Sequence, residues 1–286
     1  MKDSPQKPKW LKKAYNNIDF LNSPAARPLR ILSEMLEPAD RLRKHHIHNT
    51  VVFFGSARAL PPDAAEKNLV KFEALLKARK KASAKLIHQY EHARRALEVA
   101  GYYKAATELS QALTLWFNKP ENKAHRFMVA SGGGPGIMEA AGLGALKAKG
   151  ESIGLNISLP HEQEPNLFQT KELSFEFHYF FIRKFWFLYL AKGLVFFPGG
   201  FGTLDELFEL LTLIQTKKSR KYMPIVLFGS SYWKELINFD LMIRNGMIDA
   251  KDAELFKMFD SVKDAFHFLK EELTKHYFKD PPKTKF

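Results

Sequence analysis

The stretch LVFFPGGFGTLDELFELLTLIQT, residues 194–216, carries the pattern that decides the fold. Leu194 to Phe197 is a short, wholly apolar run, the composition of a strand covered on both faces. It breaks at Pro198-Gly199-Gly200-Phe201-Gly202-Thr203, and helical spacing of apolar residues takes over from Leu204 to Thr216. The same succession recurs upstream and downstream. Val51 to Phe54 ends in Gly55-Ser56, and Phe127 to Ala130 ends in Ser131-Gly132-Gly133-Gly134-Pro135-Gly136 before a helical pattern from Ile137 to Lys149. Pro224 to Phe228 ends in Gly229-Ser230-Ser231 before a pattern from Trp233 to Arg244, and another helical pattern runs from His178 to Lys192. Strand and helix alternating in this way predict an α/β fold, a doubly wound parallel sheet with helices on both faces. In such sheets ligands bind beyond the carboxyl ends of the strands, where three of these four loops are rich in glycine.

Around this frame the chain divides into an amino-terminal extension, 1–49, and a domain over 50–286 with a helical insertion at about 62–118. The extension is rich in Pro, Lys and Asn, with a short helical pattern from Pro28 to Lys44, and reads as a segment that packs on the domain. The insertion is charged and helix-forming, with Lys77 to Lys81 and Arg94-Arg95 on its polar side. It reads as two or three helices that enlarge the first crossover into a cap.

At 286 residues, 45% hydrophobic and 13% aromatic, the chain can bury a large core, which excludes disorder, collagen and a small disulfide scaffold. With no cysteine, it has no disulfide, thiolate metal site or cysteine nucleophile, and a cytoplasmic location is the expectation. The first 20 residues lack the apolar run of a secretory signal. The most apolar window, Tyr179 to Phe197, would carry Arg183, Lys184 and Lys192 into a bilayer, so no membrane span is expected. The net charge of +13 is lopsided: residues 1–126 hold 24 Lys/Arg against 12 Asp/Glu, and residues 127–286 hold 20 against 19. That suits attraction to anions such as nucleotides. No basic motif interleaved with aromatics accompanies the excess, so a solvated surface is expected rather than a nucleic-acid partner.

A glycine-rich turn between strand and helix makes an anion site, because unpaired backbone N–H groups and the positive end of the helix converge where a side chain would otherwise intrude. Ser131, Gly132, Gly133 and Gly134 before Ile137 have this layout, as do Gly199, Gly200, Gly202 and Thr203 before Leu204. The plain alternative is a pair of tight turns. A dinucleotide fingerprint fails, since counting from Gly132 or Gly200 its last position falls on Ile137 or Asp205, and neither loop ends in the Gly-Lys-Ser/Thr of a Walker loop. A mononucleotide or sugar phosphate remains.

Glu206, three residues after Thr203, completes a capping box with it; alternatively its carboxylate stands beside a bound sugar phosphate. Asp205 and Glu209 read as helix-end charges facing solvent. In the aromatic helix around Phe180-Phe181-Ile182-Arg183-Lys184, Lys184 can reach water along its stem, whereas Arg183 needs a carboxylate or phosphate to offset its desolvation. A structural salt bridge and a functional charge both meet that need. His45, His46 and His48, without nearby carboxylates, read as an ordinary loop, and no metal site is expected.

SGGGPGIMEAAGLGA at 131–145, IGLNISLPHEQEPN at 153–166, FFIRK at 180–184 and PGGFGTLDELFELLTLIQTKK at 198–218 together resemble the LOG ("lonely guy") family, Rossmann-like phosphoribohydrolases of cytokinin riboside monophosphates, many of which carry the label lysine decarboxylase-like. The resemblance covers roughly residues 50–245, and the GLNI-x-LP-x-EQ-x-x-N segment is similar to a broad bacterial branch acting on ordinary nucleotides. It implies hydrolysis of the N-glycosidic bond of a nucleoside 5′-monophosphate, AMP-like or a cytokinin nucleotide, to free base and ribose 5-phosphate. The family's catalytic Arg and Glu fall on Arg183 and Glu206. No metal or organic cofactor is implied, and the protein is expected to form a homodimer or higher homo-oligomer. Gly55, Ser56 and Arg58 would add contacts from the first strand end. A sensor of the same fold that binds a nucleotide without cleaving it is the alternative. Lysine decarboxylation fits poorly, because no Schiff-base lysine with an acidic partner for a pyridinium nitrogen can be picked out.

Overall fold

Apolar runs of four to six residues bounded by glycine and proline become the central strands, and a computed structural model describes residues 10–79, 81–159 and 165–279. Two helices, α1 (Ile18–Asn22) and α2 (Arg27–Lys44), lead into β1 (Asn49–Phe54). The first crossover holds α3 (Pro62–Lys77) and α4 (Ala84–Phe117) before β2 (Phe127–Ser131). Then come α5 (Ile137–Lys147), β3 (Ser152–Ile157), β4 (Ser174–Phe177), α6 (Phe180–Tyr189), β5 (Ala191–Phe196) and α7 (Phe201–Gln215). The chain continues through β6 (Ile225–Phe228), α8 (Ser230–Leu236), α9 (Phe239–Arg244), β7 (Lys257–Phe259) and α10 (Val262–Leu273).

The seven strands form one parallel sheet in the order β4-β3-β2-β1-β5-β6-β7. Helices cover both faces, which is the doubly wound α/β architecture. Alternate residues of each central strand serve opposite faces. Val52 and Phe54 pack with α2, α6, α7 and α8, through Leu42, Trp186, Leu207 and Trp233. Val51 and Phe53 pack with α4, α5 and α10, through Leu109, Ile137 and Leu269. Each such fully buried aromatic or aliphatic side chain stabilises the fold by about 2 kcal/mol.

Three strands escape the apolar-run criterion. β3 (SIGLNI) is broken by Gly154 and Asn156, β4 alternates with Glu176 facing outward, and the edge strand β7 has three residues, none buried. The helices also shift. α6 stops at Tyr189 because β5 already starts at Ala191, and the pattern from Trp233 to Arg244 splits where Asn238 caps α9 by accepting from the N–H of Leu241, 2.9 Å. The amino-terminal helix packs as expected: the Glu34 carboxylate of α2 accepts from the backbone N–H groups of His178 and Tyr179, and its carbonyl accepts from Trp186 Nε1.

The insertion is two helices, α3 and α4. The second half of α4, from Ala100 to Phe117, is the crossover helix itself, packed on α5 with Tyr103, Ala106, Leu109 and Leu113 buried. Ser110 Oγ donates to the carbonyl of Ala141 at 2.5 Å, fixing the two helices in contact. Residues 160–164 of the LPHEQEPN motif, the first nine residues and the last seven lie outside the described residues.

Candidate active site

The strand order reverses between β1 and β5, and there the carboxyl ends of β1, β2 and β5 surround a cavity of about 640 Å³. Gly55, Ser56 and Arg58 line it from the end of β1, Gly132 and Gly134 from β2, and Gly199, Gly200, Gly202 and Thr203 from β5. Arg183 and Glu206 line the same cavity. The structure therefore brings together all of the sequence-predicted site residues except Ser131 and Gly133, which do not line it. Ser131 is buried beneath the loop, its Oγ donating to the Met138 carbonyl at 3.1 Å and accepting from the N–H of Gly133 at 3.3 Å.

The loops owe their shape to close backbone contact. Gly136, at φ +71°, lies against the backbone of Ser56 and Ala57, so a side chain there would collide with the β1 loop, and the N–H of Ile137 donates to the Ser56 carbonyl at 3.1 Å. Tyr232 Oη donates to the Gly199 carbonyl at 2.6 Å, tying the β5 loop to α8.

The capping box is absent. α7 begins at Phe201, two residues before Thr203, with Gly200 as its N-cap and no side chain bonded to its first turn. Thr203 Oγ1 instead sits against Gly199, and Phe201, Gly202, Thr203 and Leu204 of the first turn of α7 line the cavity. Gly200 and Gly202 need no glycine for their own backbone: neither has positive φ, and a Cβ at either would meet no atom within 4 Å.

Glu206 is only 6% exposed. Burial pushes its carboxyl up to about 7, although Arg183 and Lys184 pull the other way. Burial also lowers the Arg183 guanidinium, while Glu206 and Asp205 raise it. Arg183 stacks between Phe180 and Phe187, 5.3 and 5.4 Å from the ring centroids, and its Nε is buried without a hydrogen-bond partner. Among the described residues its guanidinium makes no ion pair, and Glu206 and Asp205 act on it through charge alone. That pairing belongs to its neighbour. Lys184 does not reach for water but bridges to Asp205 at 3.0 Å and Glu209 at 2.8 Å, so the two acids tie α7 to α6, Asp205 while still facing solvent and Glu209 from a half-buried position. Asn156, Phe180, Phe187 and Tyr232 line the cavity without having been picked out from the sequence; only Tyr232, next to Gly229-Ser230-Ser231, sits by a flagged strand end.

Residues 138–269, which include both Arg183 and Glu206, match the protein family described as "possible lysine decarboxylase". The family resemblance read from the motifs stands. Among solved structures, the molybdenum cofactor binding protein of Rippkaea orientalis is 20% identical, covering 60% of this chain and 88% of its own, with a TM-score of 0.43. The Moco carrier protein of Chlamydomonas reinhardtii is 19% identical, covering 79% of this chain and 98% of its own, with a TM-score of 0.44. No curated protein matches the sequence. Among the described residues, no helix is long and apolar enough to cross a membrane.

Proposed function

We propose that the cavity binds a nucleoside 5′-monophosphate and hydrolyses its N-glycosidic bond, releasing free base and ribose 5-phosphate. One observation carries this reading: Gly200 and Gly202, where an added Cβ would meet no atom, line the cavity at the start of α7 together with Arg183 and Glu206. A helix N-terminus without side chains over it suits a phosphate. Anchored there, the ribose would lie beside the buried carboxyl, and binding energy from the phosphate would serve the bond being broken.

Cleavage breaks the bond from C1′ to the base nitrogen, and the electron pair leaves with the base. Positive charge builds on the ribose, a water oxygen adds at C1′, and one of its protons ends on the base. An ionised Glu206 in a dry wall stabilises that charge and orients the water. Arg183, held by two rings and with no ion pair among the described residues, can pair with Glu206 or the phosphate. Its charge keeps Glu206 more acidic than burial alone would.

A pyridoxal phosphate decarboxylase, the activity in the family's description, does not fit these residues. No lysine lines the cavity among the described residues, and the adjacent Lys184 is committed to Asp205 and Glu209. The outward row Phe181, Phe185 and Tyr189 on α6, 57%, 39% and 47% exposed, supports a homodimer.

The test is incubation of the purified protein with AMP, GMP, CMP and UMP and assay of free base. Release that disappears in Glu206→Ala is expected. Tight nucleotide binding without release would overturn the enzyme in favour of a sensor.

A further inference from the structure

Beneath the glycine loop after β2 lies a cluster of amides that the catalytic reading does not use. The Gly133 carbonyl accepts three hydrogen bonds: from the Asn166 backbone N–H at 2.8 Å, from Asn166 Nδ2 at 2.8 Å and from Gln169 Nε2 at 3.0 Å. Asn166 Nδ2 also donates to the Gly134 carbonyl at 2.8 Å. Gln169 is fixed in turn, its Oε1 accepting from Ser174 Oγ at 2.7 Å and from Asn156 Nδ2 at 3.0 Å. The backbone makes room for this cluster. Gly133, at φ +73°, lies against the Asn156 amide, and a Cβ on Gly154 of β3 would run into Gln169.

In a trans peptide the carbonyl and the following N–H point in opposite directions. Asn166 and Gln169 do not line the cavity, and Gly134 does. Drawing the Gly133 carbonyl toward them turns the N–H of Gly134 the other way. That N–H has no protein acceptor among the described residues. We propose that Asn166 and Gln169 are positioning residues that aim the Gly134 N–H into the cavity as a fixed donor to the phosphate of the ligand. The proposal rests on the mononucleotide reading of the cavity and extends it to two side chains that never touch the ligand.

Each donor removed loosens the Gly133 peptide and with it the aim of the Gly134 N–H at a charged oxygen; Asn166→Ala removes the Nδ2 donor to both the Gly133 and Gly134 carbonyls, and Gln169→Met removes the Nε2 donor to Gly133. A hydrogen bond to a charged group is worth about tenfold to a hundredfold in affinity. The experiment is calorimetric titration of the full chain, wild type, Asn166→Ala and Gln169→Met, with ribose 5-phosphate, AMP and adenosine. The expected result is a loss of about tenfold or more for the two phosphorylated ligands in Asn166→Ala, a smaller loss in Gln169→Met, and less than threefold for adenosine in both. Equal losses with and without phosphate would reduce the cluster to a structural role, and unchanged affinity for ribose 5-phosphate in either folded variant would overturn the proposal. Should Asn166→Ala fail to fold, Gln169→Met, which keeps both Asn166 contacts, decides alone. Wild-type protein that binds ribose 5-phosphate but releases no base would sink the hydrolase and leave this inference standing. Absence of any phosphate-dependent binding would sink both.

Discussion

Replacing Glu206 with glutamine tests the burial of that carboxyl through folding alone. Its ionisation is raised in the folded protein to about 7 from an ordinary value of 4.5, chiefly by burial. Below pH 4.5 the group is protonated in both folded and unfolded chains and contributes no difference. As pH climbs from 4.5 to 7 the unfolded chain gives up the proton first, so the folded state loses stability through that window and stays penalised above it. At about 1.4 kcal/mol per pH unit, the penalty at pH 8 is about 3 kcal/mol. The glutamine amide cannot ionise, so relative to wild type Glu206→Gln should gain about 3 kcal/mol between pH 4.5 and pH 8, roughly 5 °C in melting temperature. Urea unfolding followed by the fluorescence of the four tryptophans at both pH values measures it. A difference between variant and wild type that is the same at pH 4.5 and pH 8 would refute the reasoning.

On the proposed hydrolysis, base release from AMP should rise with pH through about 7 and level off above 8, because only the ionised Glu206 would stabilise a cationic ribose, and a flat profile from pH 5 to 9 would contradict that role. Gly200→Ala should leave unfolding free energy within about 1 kcal/mol of wild type yet weaken AMP binding at least tenfold by calorimetry. Gly136→Ala should behave oppositely in folding, costing about 2 kcal/mol or more in urea titrations, since φ +71° and the nearby Ser56 backbone admit no Cβ. Phe181→Glu combined with Phe185→Glu should convert the proposed dimer to a monomer in sedimentation equilibrium, with the unfolding midpoint changing mainly through lost association.

Much of the fold is written in runs such as Val51 to Phe54 and Leu194 to Phe197, because a strand covered on both faces has no polar position to disguise it. β3 is hidden for the converse reason. Gly154 and Asn156 serve the amide cluster and the loop above it, so a site requirement overrides the apolar run. The glycine loops are legible because they follow apolar runs, and Arg183 stands out because a guanidinium in so aromatic a helix calls for an anionic partner; the structure brings both, with Glu206, to one cavity. The capping box misleads because a Thr-x-x-Glu spacing says nothing of where the helix starts, and the Phe201-Gly202 backbone had already turned helical. Tyr232 of α8 borders the cavity, and Gln169 bonds to the glycine loop beneath it, through tertiary contacts across 33 and 36 residues of sequence that no local spacing announces.

α4 is 34 residues long, about 50 Å, while the strands it crosses have at most six residues. Its Tyr102 touches Gly229 at the carboxyl end of β6, and its Phe117 meets Phe127 at the amino end of β2. The turns from Ala84 to Gly101 thus rise roughly 27 Å past the sheet, braced by α3, beside the corner where Tyr232 borders the cavity. A long polymer laid across the mouth from that flank would have to bend around such a tower, a constraint that the mononucleotide proposed above does not meet.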